Sequence, residues 1–346
     1  MKQYSVLVVD DSAFMRRAVS HILELDPQFI VGGIARNGSE AIEKVKRLKP
    51  DLVTMDVEMP EMNGLKALEQ IMKTSPVPVV MLSNRTGEGA YETLEALELG
   101  AVDFFLKDNL LRNQPSADQS ADFLMRLNGI VEANSPSKKS NKIVLSNNRM
   151  LTEKRNIDLV FIGCSTGGPS ALQKILPFFS ADFPVPIVVA QHMPPGFTKP
   201  LAERFNSLCN LKVKEALHGE TVEAGTIYIA PSGHQTRFEK NQQGFICFNI
   251  DNKLDDDALY KPSIDISLCS AAPIYTDKLL SVILTGMGVD GMIGCGLVKK
   301  YEGSVLVEAE DSCIVYGMPK AVLEAGHADG KYELSQMYQE IVSYVL

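Results

Sequence analysis

Residues 157–176 read IDLVFIGCSTGGPSALQKIL. A short apolar run breaks into glycines around Ser165 and resumes as a segment with helical spacing, ALQKIL. A strand that turns through glycines into a helix is the repeating corner of α/β proteins, and it places this half of the chain in that class. The corner itself has three readings: its glycines can cradle a phosphate, hold up a nucleophile, or merely turn the chain.

Spacing separates the three. A dinucleotide fingerprint needs G-x-G-x-x-G, and Ser165 takes the place of its second glycine; a Walker loop needs Lys-Ser/Thr, where Pro169-Ser170 stands. Gly163 to Gly167 instead supply G-x-S-x-G, with Pro169 suited to a helix start. A hydroxyl near a helix N-terminus can also be an ordinary cap, so the pattern needs partners elsewhere.

A nucleophile needs a base, and the chain has five histidines. His21 falls within a helical pattern, and His218 and His327 fall in loops; His234 follows the strand TIYIA as a possible binding residue. His192 closes the apolar strand VPIVVAQH, which brings it to the same sheet edge as Ser165 and makes it the natural general base. A third strand, LLSVILTG, runs into glycines around Asp290, the candidate orienting acid. The chain order Ser, His, Asp differs from that of ordinary α/β-hydrolases, but geometry rather than order defines a triad.

Upstream the same alternation occurs. SVLVVDD, FIVGGIA, DLVTMDV, VPVVMLS and DFFLK are separated by helical patterns, which implies a parallel sheet covered by helices, and residues 118–131 supply a last helix. Asp10 and Asp11 close the first run, Asp56 the third, Ser83 the fourth and Lys107 the fifth. Carboxyl ends of parallel strands share one edge, so these groups converge there: an acid cluster suited to Mg²⁺, one hydroxyl and one cation, the parts of a phosphoryl-transfer site. Between the halves, residues 132–156 are rich in Ser, Asn and Lys with little periodicity and read as a linker.

Length, charge and composition bound the rest. A chain of 346 residues exceeds a single core, and two domains are expected. The net charge of -9 disfavours nucleic acid and anionic membrane as partners. Apolar runs fall short of the ~20 residues that span a bilayer, and the N-terminus lacks a signal-peptide pattern; a cytoplasmic protein is expected. The six cysteines form no C-x-x-C pair and read as buried thiols rather than zinc ligands or disulfides.

These residues carry two resemblances. Residues 3–130 resemble a response-regulator receiver domain, with Asp10 and Asp11 on its paired acids, Asp56 on its phosphoacceptor, Ser83 on its hydroxyl, Lys107 on its lysine and Phe104 on its switch aromatic. The family's lysine is usually followed by proline, and Asp108 stands there instead. Residues 157–346 resemble the catalytic domain of chemotaxis protein-glutamate methylesterases through GCSTGGP, QHMPPGFT, IYIAP, KPSID, LTGMGVDG and SCIVYGMPKAV, in that order. Many relatives have alanine at Cys164 and arginine at Lys261.

The resemblances imply a flavodoxin-like receiver with a five-stranded parallel sheet over 1–131, the linker 132–156, and a doubly wound, mostly parallel α/β catalytic domain over 157–346. They imply Mg²⁺ held by Asp10, Asp11, Asp56 and the backbone carbonyl of Glu58, and a histidine kinase as phosphoryl donor. They further imply Ser165, His192 and Asp290 as the triad, backbone N–H groups of Thr166 and Met287 as oxyanion donors, and KPSID beside the substrate groove. The expected activity is removal of methyl groups from chemoreceptor glutamates and deamidation of glutamines, raised by phosphorylation. Two other readings remain at this stage: an output domain that only binds a partner, with Ser165 a helix cap, and a general hydrolase of small esters.

Overall fold

The computed structural model describes residues 3–84, 87–111, 117–134, 156–251 and 258–346. They form two compact units, Met1–Ser135 and Pro136–Leu346. Most of the expected linker, residues 135–155, lies outside the described residues.

The first unit alternates strands β1 (Tyr4–Val9), β2 (Phe29–Ala35), β3 (Leu52–Asp56), β4 (Val79–Ser83) and β5 (Asp103–Leu106) with helices α1 (Ala13–Glu24), α2 (Gly38–Leu48), α3 (Gly64–Thr74) and α4 (Gly87–Glu98). The five strands are parallel in the order β2-β1-β3-β4-β5. All residues of β3, β4 and β5 are buried, which requires cover on both faces and explains their continuous apolar runs. Side-chain caps start three helices: Ser12, Asn37 and Asn63 accept from Met15, Glu40 and Lys66 N–H groups. Lys107 begins a short helix, α5 (Lys107–Leu111), rather than closing the strand. Asp108 lies in its first turn, where a carboxylate suits the helix dipole. The expected last helix is α6 (Ala117–Ala133).

In the second unit, β6 (Leu159–Cys164), β7 (Ile187–Gln191), β8 (Lys212–Glu215), β9 (Thr226–Ile229), β12 (Leu279–Ile283), β13 (Ser304–Glu308) and β14 (Gly330–Tyr332) form one parallel sheet, ordered β14-β13-β12-β6-β7-β9-β8. A separate hairpin is formed by the antiparallel pair β10 (Gln235–Lys240) and β11 (Ile246–Asp251). Helices α7 (Gly168–Gln173), α8 (Thr198–Leu208), α9 (Ile264–Tyr275), α10 (Met292–Lys300), α11 (Met318–Glu324) and α12 (Leu334–Val345) connect or flank the strands. Phe161, Val188 and Tyr228 of the sheet share a buried cluster with Leu268 and Ala271 of α9 and with Phe238 and Phe248 of the hairpin.

The helix that follows the glycine corner stops before the end of ALQKIL. It ends at Gln173, and Leu176–Phe178 continue as a separate 3₁₀ turn, because Pro177 has no N–H to extend an α-helix. The chain runs from β6 toward β7, β9 and β8, then returns to β12 on the other side of β6. The carboxyl ends of β6 and β12 therefore flank a topological switch point, where open α/β sheets bind ligands.

Candidate active site

β6 and β7 pair in register from Val160↔Ile187 to Cys164↔Gln191, so Ser165 and His192 are the next residues of adjacent strands. The His192 N–H donates to the Cys164 carbonyl at 3.0 Å, extending that pairing by one step. Ser165 is buried, and its own N–H donates to the Thr285 carbonyl just beyond β12. The N-cap of α7 is Gly167, at φ 78°, and no side chain caps that helix. Ser165 is therefore free of the capping role that would make it ordinary.

Asp290 follows β12, and its Oδ2 lies 2.8 Å from His192 Nε2. Three donors at the start of α9 complete its shell: Ser263 Oγ at 3.0 Å, Ile264 N at 2.8 Å and Asp265 N at 2.9 Å. Burial alone would raise this carboxyl, but the His192 bond and the α9 donors outweigh it and hold Asp290 below the usual carboxylate range. The KPSID block, expected beside a substrate groove, thus supplies the seat of the acid.

The ring of His192 stacks on Tyr260, with centroids 4.1 Å apart and planes 12° from parallel. Its Nδ1 is buried without a hydrogen-bond partner. Ser165 and His192 are thus neighbours whose side chains are not hydrogen-bonded, while His192 and Asp290 are joined.

Gly286 packs the loop after β12 onto the serine: a Cβ there would fall 2.8 Å from Ser165 Cβ and 2.4 Å from Met318 Sδ. The SCIVYGMPKAV segment pins the same loop, because Gly286 N donates to the Val315 carbonyl and Gly286 O accepts from Gly317 and Met318 N–H groups. Among the described residues, no main-chain carbonyl accepts from the N–H of Thr166 or of Met287. Both expected oxyanion donors are thus without a main-chain acceptor, on loops held together beside Ser165.

Sequence reasoning missed Gln191. This buried amide donates from Nε2 to the carbonyls of Ser165 and His192, each at 2.9 Å, and its Oε1 accepts from Cys164 Sγ at 3.0 Å. Cys164 therefore completes the bonding of that amide, and burial pushes its thiol well above the usual range. The signal was present as a polar residue inside the strand IVVAQ, since a buried amide requires partners. The described cysteines are all free, with Cys164, Cys247 and Cys295 buried and the other three partly exposed.

In the first unit, Asp10, Asp11 and Asp56 each bring a carboxylate oxygen within 4.8 Å of the others. Lys107 Nζ lies 2.6 Å from Asp56 Oδ2 and 3.0 Å from Asp10 Oδ2. The Asp56 carboxyl is pushed up to about 7 by burial and then by the Asp10 charge, against the pull of Lys107 and of the Glu58 N–H. Asp10 Oδ2 is buried, with the Lys107 ammonium as its partner. Three converging carboxylates, with no sulfur or imidazole among them, are a donor set that fits a hard divalent cation such as Mg²⁺. Ser83 Oγ is buried 2.8 Å from Thr93 Oγ1, and Phe104 is buried in β5.

An acid-and-lysine pocket on a five-stranded parallel sheet, followed by a second α/β unit with serine, histidine and aspartate at a switch point, defines a response regulator whose output is a hydrolase. The family models agree: residues 160–341 match CheB methylesterase, and residues 6–113 match the response regulator receiver domain. The chain belongs to the CheB methylesterase family. It is 45% identical to the protein-glutamate methylesterase/protein-glutamine glutaminase of Thermotoga maritima, over 94% of this chain and 93% of that one. It is 42% identical to the protein of the same name from Archaeoglobus fulgidus, over 98% of this chain and 97% of that one. The crystal structure of the Thermotoga maritima CheB methylesterase catalytic domain covers 54% of this chain and 98% of its own, with a TM-score of 0.52 and 44% identity. Among the described residues, no helix is long and apolar enough to cross a membrane.

Proposed function

We propose that this chain hydrolyses methyl esters of glutamate side chains on methyl-accepting chemoreceptors, releasing methanol, and deamidates glutamines at such sites. The relatives' shared name gives both activities. The observation that carries the reading is the His192–Asp290 bond beside Ser165.

Ser165 Oγ attacks the ester carbonyl carbon, and its proton passes to His192. Because Nε2 is bound to Asp290, the nitrogen that takes the proton is Nδ1. Asp290 stays ionised and offsets the imidazolium charge. The N–H groups of Thr166 and Met287 donate to the oxyanion. Collapse of that intermediate breaks the C–O bond, the imidazolium returns its proton, and methanol leaves an acyl-serine. Water, deprotonated by His192, then attacks the acyl carbon and frees Ser165 and the glutamate carboxylate. With a glutamine amide the leaving group is ammonia.

In the first unit Asp56 accepts a phosphoryl group from a chemotaxis histidine kinase. Asp10, Asp11, Asp56 and the Glu58 carbonyl are the residues that would hold Mg²⁺, which when bound neutralises phosphate charge. Lys107 adds a second cation to the same pocket, Ser83 and Phe104 respond to the phosphate, and the esterase rate rises.

Methanol release from methylated receptor membranes tests this with the full-length chain, with and without Mg²⁺ and a small phosphodonor. Wild type is expected to release methanol faster with the donor, and Ser165→Ala to release none above background. A wild-type rate in Ser165→Ala sinks the assignment, and comparable turnover of a simple ester would favour a general esterase.

A further inference from the structure

Asp290 and Asp265 exchange helix ends. Asp290 lies in the turn that precedes α10, yet its carboxylate is held by Ser263 Oγ, Ile264 N and Asp265 N at the start of α9. Asp265 lies in the first turn of α9, yet its Oδ1 accepts from Gly291 N at 2.9 Å and Gly294 N at 2.7 Å, at the start of α10. Each acid thus satisfies the orphan N–H groups of the other's helix. The two helices are close enough that a Cβ on Gly294 would fall 2.6 Å from Leu268 Cβ.

The exchange matters because of what surrounds Asp290. Gly288 and Gly291 bracket it at φ 85° and 99°, conformations that carry no side-chain restraint, so the turn has little stiffness of its own. The α9 donors fix the carboxylate of Asp290, whereas Asp265 fixes the backbone that follows it. Two buried carboxylates so close also cost free energy: burial first, and then the charge of Asp290, push the Asp265 carboxyl up to about 6. Against that cost stand the five donors that the two carboxylates serve at the starts of α9 and α10.

We propose that Asp265 is a positioning residue for the esterase reaction: by bonding the N–H groups of Gly291 and Gly294 it holds the turn that presents Asp290 to His192 Nε2. This rests on the triad reading of Ser165, His192 and Asp290. Asp265 touches no reacting atom and acts through Asp290.

The experiment compares full-length wild type, Asp265→Ala, Asp265→Asn and Ser165→Ala by methanol release from methylated receptor membranes. Folding is checked by circular dichroism, and the His192 Nε2 proton by its downfield NMR resonance. Asp265→Ala is expected to lose about tenfold or more in kcat with KM within about twofold, and to shift or lose the resonance. Asp265→Asn keeps an oxygen for the same two N–H groups and is expected to stay within about fivefold of wild type with the resonance retained. A smaller loss in Asp265→Ala, or one confined to KM, overturns the proposal. If Asp265→Ala does not fold, Asp265→Asn decides, and any loss beyond fivefold overturns it. Full turnover by Ser165→Ala would instead overturn the triad reading itself, whatever Asp265 does.

Discussion

Gln191 Nε2 donates to the carbonyl oxygens of Ser165 and His192 at 2.9 Å each, so a single amide ties the strand end that carries the serine to the one that carries the imidazole. Its four hydrogen-bonding positions are nearly filled: two N–H groups go to those carbonyls, and the oxygen takes the Cys164 thiol. The spacing between Ser165 and His192, the proposed nucleophile and base, is then braced by a buried side chain that bonds only their main chain.

Replacing that amide should cost more than replacing the thiol. Gln191→Leu fills the same volume but strips the His192 carbonyl of its partner, at about 1–3 kcal/mol, leaves the Ser165 carbonyl with the Gly168 N–H alone, and loosens both strand ends. Methanol release is expected to fall about a hundredfold or more, with a lower Tm. Cys164→Ala loses one weak thiol bond and should stay within about threefold of wild type. Equal losses in the two variants would remove Gln191 from this role.

Asp290→Asn should be severe for a reason visible in its shell. The carboxylate accepts Ser263 Oγ, Ile264 N, Asp265 N and His192 Nε2 on two oxygens, and an amide has only one. With its oxygen kept by the α9 donors, the amide turns its NH₂ toward Nε2 and forces the proton of a neutral imidazole onto Nδ1, the nitrogen that receives the serine proton in the proposed mechanism. A loss of about 10³–10⁴ in kcat is expected, with KM little changed. Steady-state methanol release checks it, and a loss under tenfold would mean that Asp290 does not set the tautomer.

The strand ends were legible because most candidate residues end or directly follow an apolar run, and a parallel sheet gathers such ends on one edge. Ser165 and His192 were singled out that way, as were Asp10, Asp56, Ser83 and Lys107, whereas Asp290 was singled out by the glycines around it beyond β12. The edge strands were harder. In β8, Lys212–Glu215, only Val213 is buried, and β14 is three partly exposed residues, so neither has an apolar signature. Asp265 was invisible for another reason. An acid in the first turn after a Ser cap reads as an ordinary helix start, and its real partners, Gly291 and Gly294, are brought to it only by the packing of α9 on α10.

The stack of Tyr260 on His192 predicts a graded series. A ring pair of this kind contributes about 0.5–1.5 kcal/mol beyond its buried area, and here it holds one face of the imidazole. Tyr260→Phe keeps the ring and should lie within about twofold of wild type in kcat/KM, whereas Tyr260→Ala should lose about three- to tenfold. If Tyr260→Phe falls as far as Tyr260→Ala, the hydroxyl and not the stack is what matters.

Asp56 makes the receiver unit sensitive to pH. Its carboxyl is raised to about 7 in the folded chain by burial and by Asp10, so the folded state binds that proton more tightly than the unfolded state does. The stabilisation from this proton is fully present below the unfolded carboxylate value of about 4 and is lost as pH rises through about 7. Asp56→Asn removes the titration and one of the crowded charges. The variant should therefore gain stability over wild type as pH climbs from 5 to 8, by on the order of 2 kcal/mol. Hydrogen exchange at the β1 and β3 amides of the full-length chain reads this locally. Millimolar Mg²⁺ should narrow the difference at pH 8, because a cation among Asp10, Asp11 and Asp56 offsets the repulsion that Asp56→Asn relieves. A difference that is the same at both pH values would show that Asp56 is not the titrating group. One that Mg²⁺ leaves unchanged would show that the three acids do not hold the ion.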